Sequence, residues 1–152
     1  TAGELAWVVC LAHCFAEYVA EPYTVEGPSM EPTIENKSTL LVAKTQATGT
    51  PLQVGQIVVA QSPLQPGRML VKRILGLPGD YIRRCPSSSS HGRLLHHAAT
   101  LHAYVVQGHV WLEGDNKDNS TDSRSYGSVP QALVEGVVVF RLWPPTGFGL
   151  IV

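Results

Sequence analysis

The chain has 152 residues, with 11 Lys plus Arg against 12 Asp plus Glu and a formal charge of -1. That length fits one domain, and the near-neutral balance lacks the basic field that nucleic-acid binding needs. The three cysteines, Cys10, Cys14 and Cys85, show no CxxC spacing, so they build neither a disulfide framework nor a four-ligand zinc site.

The first element is apolar: Leu5 to Ala16 contains no Asp, Glu, Lys or Arg and is bounded by Glu4 and Glu17. The run is shorter than the roughly 20 residues that span a bilayer. On a helix it gathers Trp7, Leu11, Cys14 and Tyr18 on one side, with His13 and Glu17 opposite. Residues 1–21 therefore read as a short helix closed at Glu21-Pro22, either packed on its own domain or forming part of a membrane anchor. The anchor is the favoured reading.

Past Pro22 the apolar spacing turns from helical to β-type, in short runs cut by Gly and Pro. Strands are expected at Leu40 to Lys44, Gln56 to Gln61, Arg68 to Leu75, Tyr81 to Arg83, Tyr104 to Gln107, His109 to Leu112 and Val137 to Trp143. No second long helical pattern appears, which argues against βαβ architecture and for a mostly antiparallel sheet or irregular barrel over residues 22–152. Within it, residues 84–101 form a Ser- and His-rich surface insertion holding Ser87 to Ser90, His91, His96, His97 and His102 nearby. Their spacing matches no established metal-ligand pattern.

Three segments carry chemistry. In Gly27-Pro28-Ser29-Met30-Glu31-Pro32-Thr33, two prolines restrict the backbone around a serine, and rigid placement is what a nucleophile needs; a plain turn is the simpler alternative. In Lys72-Arg73-Ile74-Leu75-Gly76-Leu77-Pro78-Gly79-Asp80, strand alternation sets Lys72 between Leu70 and Ile74 on one face. Burial there disfavours the ammonium and makes the amine a base near neutral pH, although a strand lysine more often sends its head to water. Gly114 to Gly127 is a polar loop dense in short hydrogen-bonding side chains. Lys117, Ser120 and Tyr126 stand where a calcium loop needs a ligand, a glycine and a bidentate Glu, so calcium is not expected. Asp122 and Arg124, two apart, share a face of extended backbone and are expected to pair. Asn119-Ser120-Thr121 and Asn36-Lys37-Ser38 are formal glycosylation acceptors. A Ser-His-Asp triad remains as a rival, built from distant positions.

Taken in this order, the three segments resemble the type I signal peptidase family, in particular its mitochondrial inner membrane branch, over roughly Gly27 to Pro145. The resemblance implies a mostly β fold, an antiparallel sheet or irregular β-barrel of the signal-peptidase type with a short N-terminal helix. It implies Ser29 as nucleophile, Lys72 as general base and Ser120 as the residue that orients Lys72 by a hydrogen bond. It makes Asp122 and Arg124 a structural ion pair, with Asp115 and Asn116 framing the site. The activity implied is removal of signal or sorting sequences from precursor proteins at a membrane, without metal or cofactor, on the mitochondrial inner membrane facing the intermembrane space. Membrane lipid and a second homologous peptidase subunit are the other implied partners; nucleic acid is not. An apolar rim including Met30 and the N-terminal run is expected to face the bilayer. Two departures stand out. Bacterial members carry a hydroxyl residue two places before the nucleophile where this chain has Gly27, and the 84–101 insertion has no clear counterpart. A self-cleaving repressor-type Ser/Lys peptidase and a non-catalytic, membrane-tethered β interaction domain are the alternative readings.

Overall fold

A computed structural model describes residues 2–44, 49, 51–84 and 101–151. Helix α1 (Ala2–Tyr18) leads into strands β1 (Ala20–Thr24), β2 (Thr39–Lys44), β3 (Ile57–Gln61), β4 (Met69–Gly76), β5 (Tyr81–Arg84), β6 (Leu101–Tyr104) and β7 (His109–Glu113). A one-turn helix α2 (Ser123–Tyr126) follows, then β8 (Val129–Pro130), β9 (Val134–Trp143) and β10 (Gly149–Leu150). The main sheet has eight strands in the order β1-β2-β9-β3-β4-β7-β8, with β10 added to β9. Every pairing in it is antiparallel. β5 and β6 form a separate hairpin. The sheet is open, with β1 and β8 as its ends.

Alternation explains how so short a chain builds two apolar layers. Adjacent side chains of a strand point to opposite faces, and β3 is buried on both. Val59 joins Met30, Ile34, Leu40, Val42, Val71 and Val138 on one side. Val58 and Ala60 join Ile74, Val110, Leu112, Val134 and Val137 on the other. A strand buried on both faces reads as a continuous apolar run, as Ile57-Val58-Val59-Ala60 does.

The elements depart from expectation at identifiable points. α1 ends at Tyr18, and Ala20–Thr24 continues as β1, with Pro22 opposite Leu41. Pro22 has no N–H to donate, which an edge strand tolerates, and Glu21 pairs with Lys44 at 3.1 Å. Around α1, Leu5, Trp7, Val8, Val9, Leu11 and Tyr18 are all exposed, which overturns the reading of a helix packed by one side on its own domain. Met30 corrects the expected apolar rim: it is wholly buried, inside the Val59 layer. β6 lies earlier than the expected Tyr104 to Gln107, and the insertion, apart from its end residues, falls outside the described residues.

Candidate active site

The site forms where the β1–β2 connection, β4 and the loop after β7 meet. After β1 the chain crosses Gly27, whose φ of 103° is a conformation that side-chain-bearing L-residues rarely adopt. The backbone itself thus accounts for glycine where a hydroxyl residue was the alternative. Asn36 Oδ1 accepts the Gly27 N–H at 2.9 Å, and the Glu31 and Ile34 N–H groups bond the Pro28 and Met30 carbonyls at 3.1 and 2.9 Å. Met30 and Ile34, both wholly buried, plug this turn into the core. Ser29 is left half-buried at its crest.

The loop after β7 grips the same turn. The Asn116 N–H donates to the Ser29 carbonyl and its Nδ2 to the Pro28 carbonyl, both at 3.1 Å. Gly114 permits that approach, since a Cβ there would lie 2.4 Å from the Ser29 carbonyl oxygen and 2.3 Å from Ser120 Oγ. No ordinary side chain fits against a fixed backbone atom at that distance.

Lys72 comes from β4, opposite Val58 of β3. It is 3% exposed, and its Nζ lies 2.7 Å from Ser29 Oγ, across 43 residues of sequence. An ammonium donates in that contact, whereas a neutral amine accepts the serine proton. Burial drives the Lys72 pKa below the ordinary lysine value; Asp122 pulls it back up, while Arg68 and Arg124 push it further down. A serine hydroxyl, a lysine amine and a desolvated pocket are thereby brought together, an arrangement able to support nucleophilic catalysis.

Each remaining candidate has a defined place. Asp115 receives Arg73 through two bonds, Nε–Oδ1 at 3.0 Å and Nη2–Oδ2 at 2.8 Å, and Arg73 Nη1 also donates to the Gly55 carbonyl at 2.7 Å. This planar fork ties the residue next to Lys72 to the loop that holds Ser29. Burial would raise the Asp115 pKa, but the bonds from Arg73 and Thr33 outweigh it and hold the carboxyl below the usual range.

Asp122 is wholly buried and accepts from the Gly114 N–H at 3.0 Å, Ser120 Oγ at 2.7 Å, the Arg124 N–H at 3.1 Å, and Arg124 Nε and Nη2 at 2.8 Å. Those donors overcome the burial that would otherwise raise its pKa and hold it low. The expected Asp122–Arg124 pair is present, but it is built on the N-cap of α2 and not on extended backbone through both residues. Ser120 differs from expectation in its partner. Its hydroxyl donates to the Asp122 carboxylate and makes no hydrogen bond to Lys72 in this geometry. The charged acceptor is the stronger one.

Several residues were not singled out from sequence. Arg73 and Gly114 lay inside the quoted segments, where they read as strand and turn. Asn36 carried only a formal glycosylation signal. Ser123, whose Oγ accepts the Leu112 N–H at 3.0 Å, looked like any loop serine.

Beside Ser29 and Lys72 lies a cleft of about 600 Å³, bounded on one wall by Tyr23 to Ser29 and on the other by Ser62 to Lys72, with Asn119, Thr121 and Tyr126 closing it. β4 pairs with β3 along Met69 to Arg73 but with β7 only from Arg73 onward. The Ile74 N–H and carbonyl and the Arg68 carbonyl bond toward the β3 side. Period-two alternation then turns the main-chain groups of Met69 and Val71 to the open edge, along the cleft.

The chain is similar to known proteins over most of its length. The family model described as signal peptidase, peptidase S26, matches residues 2–88 and 86–143. The chain is 47% identical over 152 residues to the mitochondrial inner membrane protease subunit 1 of Xenopus tropicalis, covering 98% of this chain and 86% of that protein. It is 42% identical over 142 residues to the human protein of the same name, covering 93% and 81%. A crystal structure of a signal peptidase I from Enterococcus faecalis V583 superposes with a TM-score of 0.44 at 25% identity, over 58% of this chain and 97% of that one.

Proposed function

Since the chain belongs to the signal peptidase family, peptidase S26, we infer that it is a membrane-associated serine endopeptidase that removes signal or sorting sequences from precursor proteins. Ser29 is its nucleophile and Lys72 its general base. The observation that carries the reading is the 2.7 Å approach of a buried lysine amine to the hydroxyl of a serine that borders an open cleft. Neutral Lys72 takes the Ser29 proton as Oγ attacks the scissile carbonyl. The ammonium then protonates the leaving amine, and the regenerated amine activates the water that hydrolyses the ester. The Ser29 N–H supplies a donor to the oxyanion. Asn116, Asp115, Ser120, Asp122 and Arg124 hold nucleophile and base in register, Ser120 through the carboxylate of Asp122. Precursor segments dock extended, their main chain pairing with the open edge at Met69 and Val71.

The setting follows the names of the relatives, protease subunits of the mitochondrial inner membrane; a site facing the intermembrane space and a second homologous subunit as partner complete the proposal. α1 is part of the membrane anchor. The same exposed apolar character recurs at Trp143, Phe148 and Leu150, which replace Met30 as the surface turned to the bilayer.

The test is cleavage of a membrane-inserted precursor by the full chain in detergent or vesicles. Ser29→Ala and Lys72→Ala are each expected to abolish cleavage while circular dichroism and thermal unfolding stay near wild type. Full processing by either variant would end the assignment. A folded, unreactive wild-type protein, unlabelled at Ser29 by a serine-directed acylating probe, would favour the interaction-domain alternative.

A further inference from the structure

The cleft carries two charged side chains besides Lys72: Glu26 beside the nucleophile turn and Arg68 immediately before β4. Neither forms an ion pair with the other or with any described residue. Arg68 is nevertheless held in place, its Nη1 donating to Gln65 Oε1 at 3.0 Å across the β3–β4 turn. The Ser62 N–H bonds the Arg68 carbonyl at 2.7 Å and carries the β3–β4 ladder one residue past β4, so alternation sets Arg68, Leu70 and Lys72 on one face. The charge of Arg68 also reaches far enough into the pocket to bear on Lys72.

We propose that Arg68 is a specificity-determining residue that favours precursors bearing an acidic side chain about four residues before the scissile bond. The proposal rests on the peptidase reading above, with the substrate docked on the open edge of β4. Four strand residues span roughly 13 Å at about 3.3 Å each. The substrate side chain level with Lys72 belongs to the bond being cut, and the one level with Arg68 lies about four positions away on the same face. Directly opposed side chains on neighbouring strands approach to about 5 Å between Cβ atoms, within reach of a guanidinium that has no carboxylate of its own. Glu26, which lines the same cleft, repels an acid placed beside it and so sharpens the choice.

Three peptides that differ only in Asp, Ala or Lys at that position, assayed for kcat/KM with the full chain in detergent, test it. Wild type is expected to favour Asp over Ala by about fivefold and to disfavour Lys, as a partly exposed charge pair allows. Arg68→Ala should bring the three to within about twofold of one another, and Arg68→Glu should reverse their order. An Arg68 acting only through Lys72 would alter all three substrates alike and leave their ratio untouched, which overturns the proposal. So does a wild-type enzyme indifferent to the substitution. The affinities of the Ser29→Ala protein for the same peptides provide a readout independent of turnover. Charge-dependent affinity lost in Ser29→Ala/Arg68→Ala, with no cleavage by wild type, would retain the Arg68 subsite and sink the peptidase reading, whereas equal affinities sink the subsite.

Discussion

The general-base role proposed for Lys72 depends on what surrounds it more than on its partner. An exposed lysine is almost wholly ammonium at neutral pH, and an ammonium has no lone pair with which to take a proton from Ser29. Burial is the first cause that lowers its pKa, with Arg68 and Arg124 adding to the effect and Asp122 opposing it. The sign of the pH dependence follows. With Lys72 as the proposed base, activity is expected to be low where it is protonated, to rise as pH climbs through the lowered pKa, and to level off above it. A profile of kcat/KM against pH is expected to show one such ascending limb below the ordinary lysine range. Lys72→Arg preserves charge and approximate length, but a guanidinium stays protonated throughout. That variant should lose at least about 10²-fold in rate at every pH, consistent with the usual worth of a general base, and should show no recovery in alkaline buffer. An arginine variant that regained activity with rising pH would mean that another group does the proton transfer.

Among the elements, the loop from Gly114 through α2 does the joining, and Asp122 is its centre. One buried carboxylate receives the Gly114 N–H, the Ser120 hydroxyl and the Arg124 fork, while Gly114 packs directly on the Ser29 carbonyl. Because the folded-state pKa of Asp122 is depressed, its contribution to stability is complete above the unfolded value of about 3.9. That contribution is lost as pH falls through the lower folded value. Asp122→Asn should be destabilised at neutral pH by about 3 kcal/mol, the scale for breaking a buried charge pair, and its stability should fall off less steeply below pH 4 than that of wild type. Urea unfolding at pH 7 and at pH 3 measures both, and parallel acid loss in the two proteins would show that Asp122 is not the titrating group. The loop was legible because its short polar side chains follow directly on an apolar strand, a density that implies a fixed shape. Its inner logic was not, since whether Ser120 turns to Lys72 or to Asp122 depends on which acceptor is charged and nearby. β1 was hidden by Pro22, which reads as a terminator unless the strand is known to lie at an edge. Met30 was misjudged because its neighbours are polar: in an irregular turn there is no period from which to infer the buried side.

At the scale of the whole molecule, the distribution of exposed apolar residues carries the proposed membrane contact. No helix among the described residues is long and apolar enough to cross a bilayer, yet α1 exposes apolar side chains around its circumference. A second exposed group sits at the far end of β9, where Trp143 is opposite Thr39 of β2, and Thr39 in turn is opposite Thr24 of β1. Residues 142–151 contain no charged side chain, and Trp143, Phe148 and Leu150 are 57, 65 and 77% exposed. Ile151, next in the chain, packs on the same apolar layer as Tyr23 and Met69, two residues that line the cleft. Trp143 suits the bilayer interface, where its apolar body and polar N–H are both accommodated, and Phe148 adds exposed apolar surface close to it in sequence. Trp143→Ser combined with Phe148→Ser should weaken binding of the full chain to liposomes in flotation. It should also lower kcat/KM for a membrane-inserted precursor by about tenfold, while cleavage of a short water-soluble peptide stays within about twofold of wild type. Each apolar side chain moved out of water is worth about 1.5–3 kcal/mol when fully buried, so two partial burials suffice for a change of that size. An equal loss on precursor and soluble peptide would instead assign the aromatic pair to the integrity of the cleft, and unchanged flotation would remove this surface from the membrane contact.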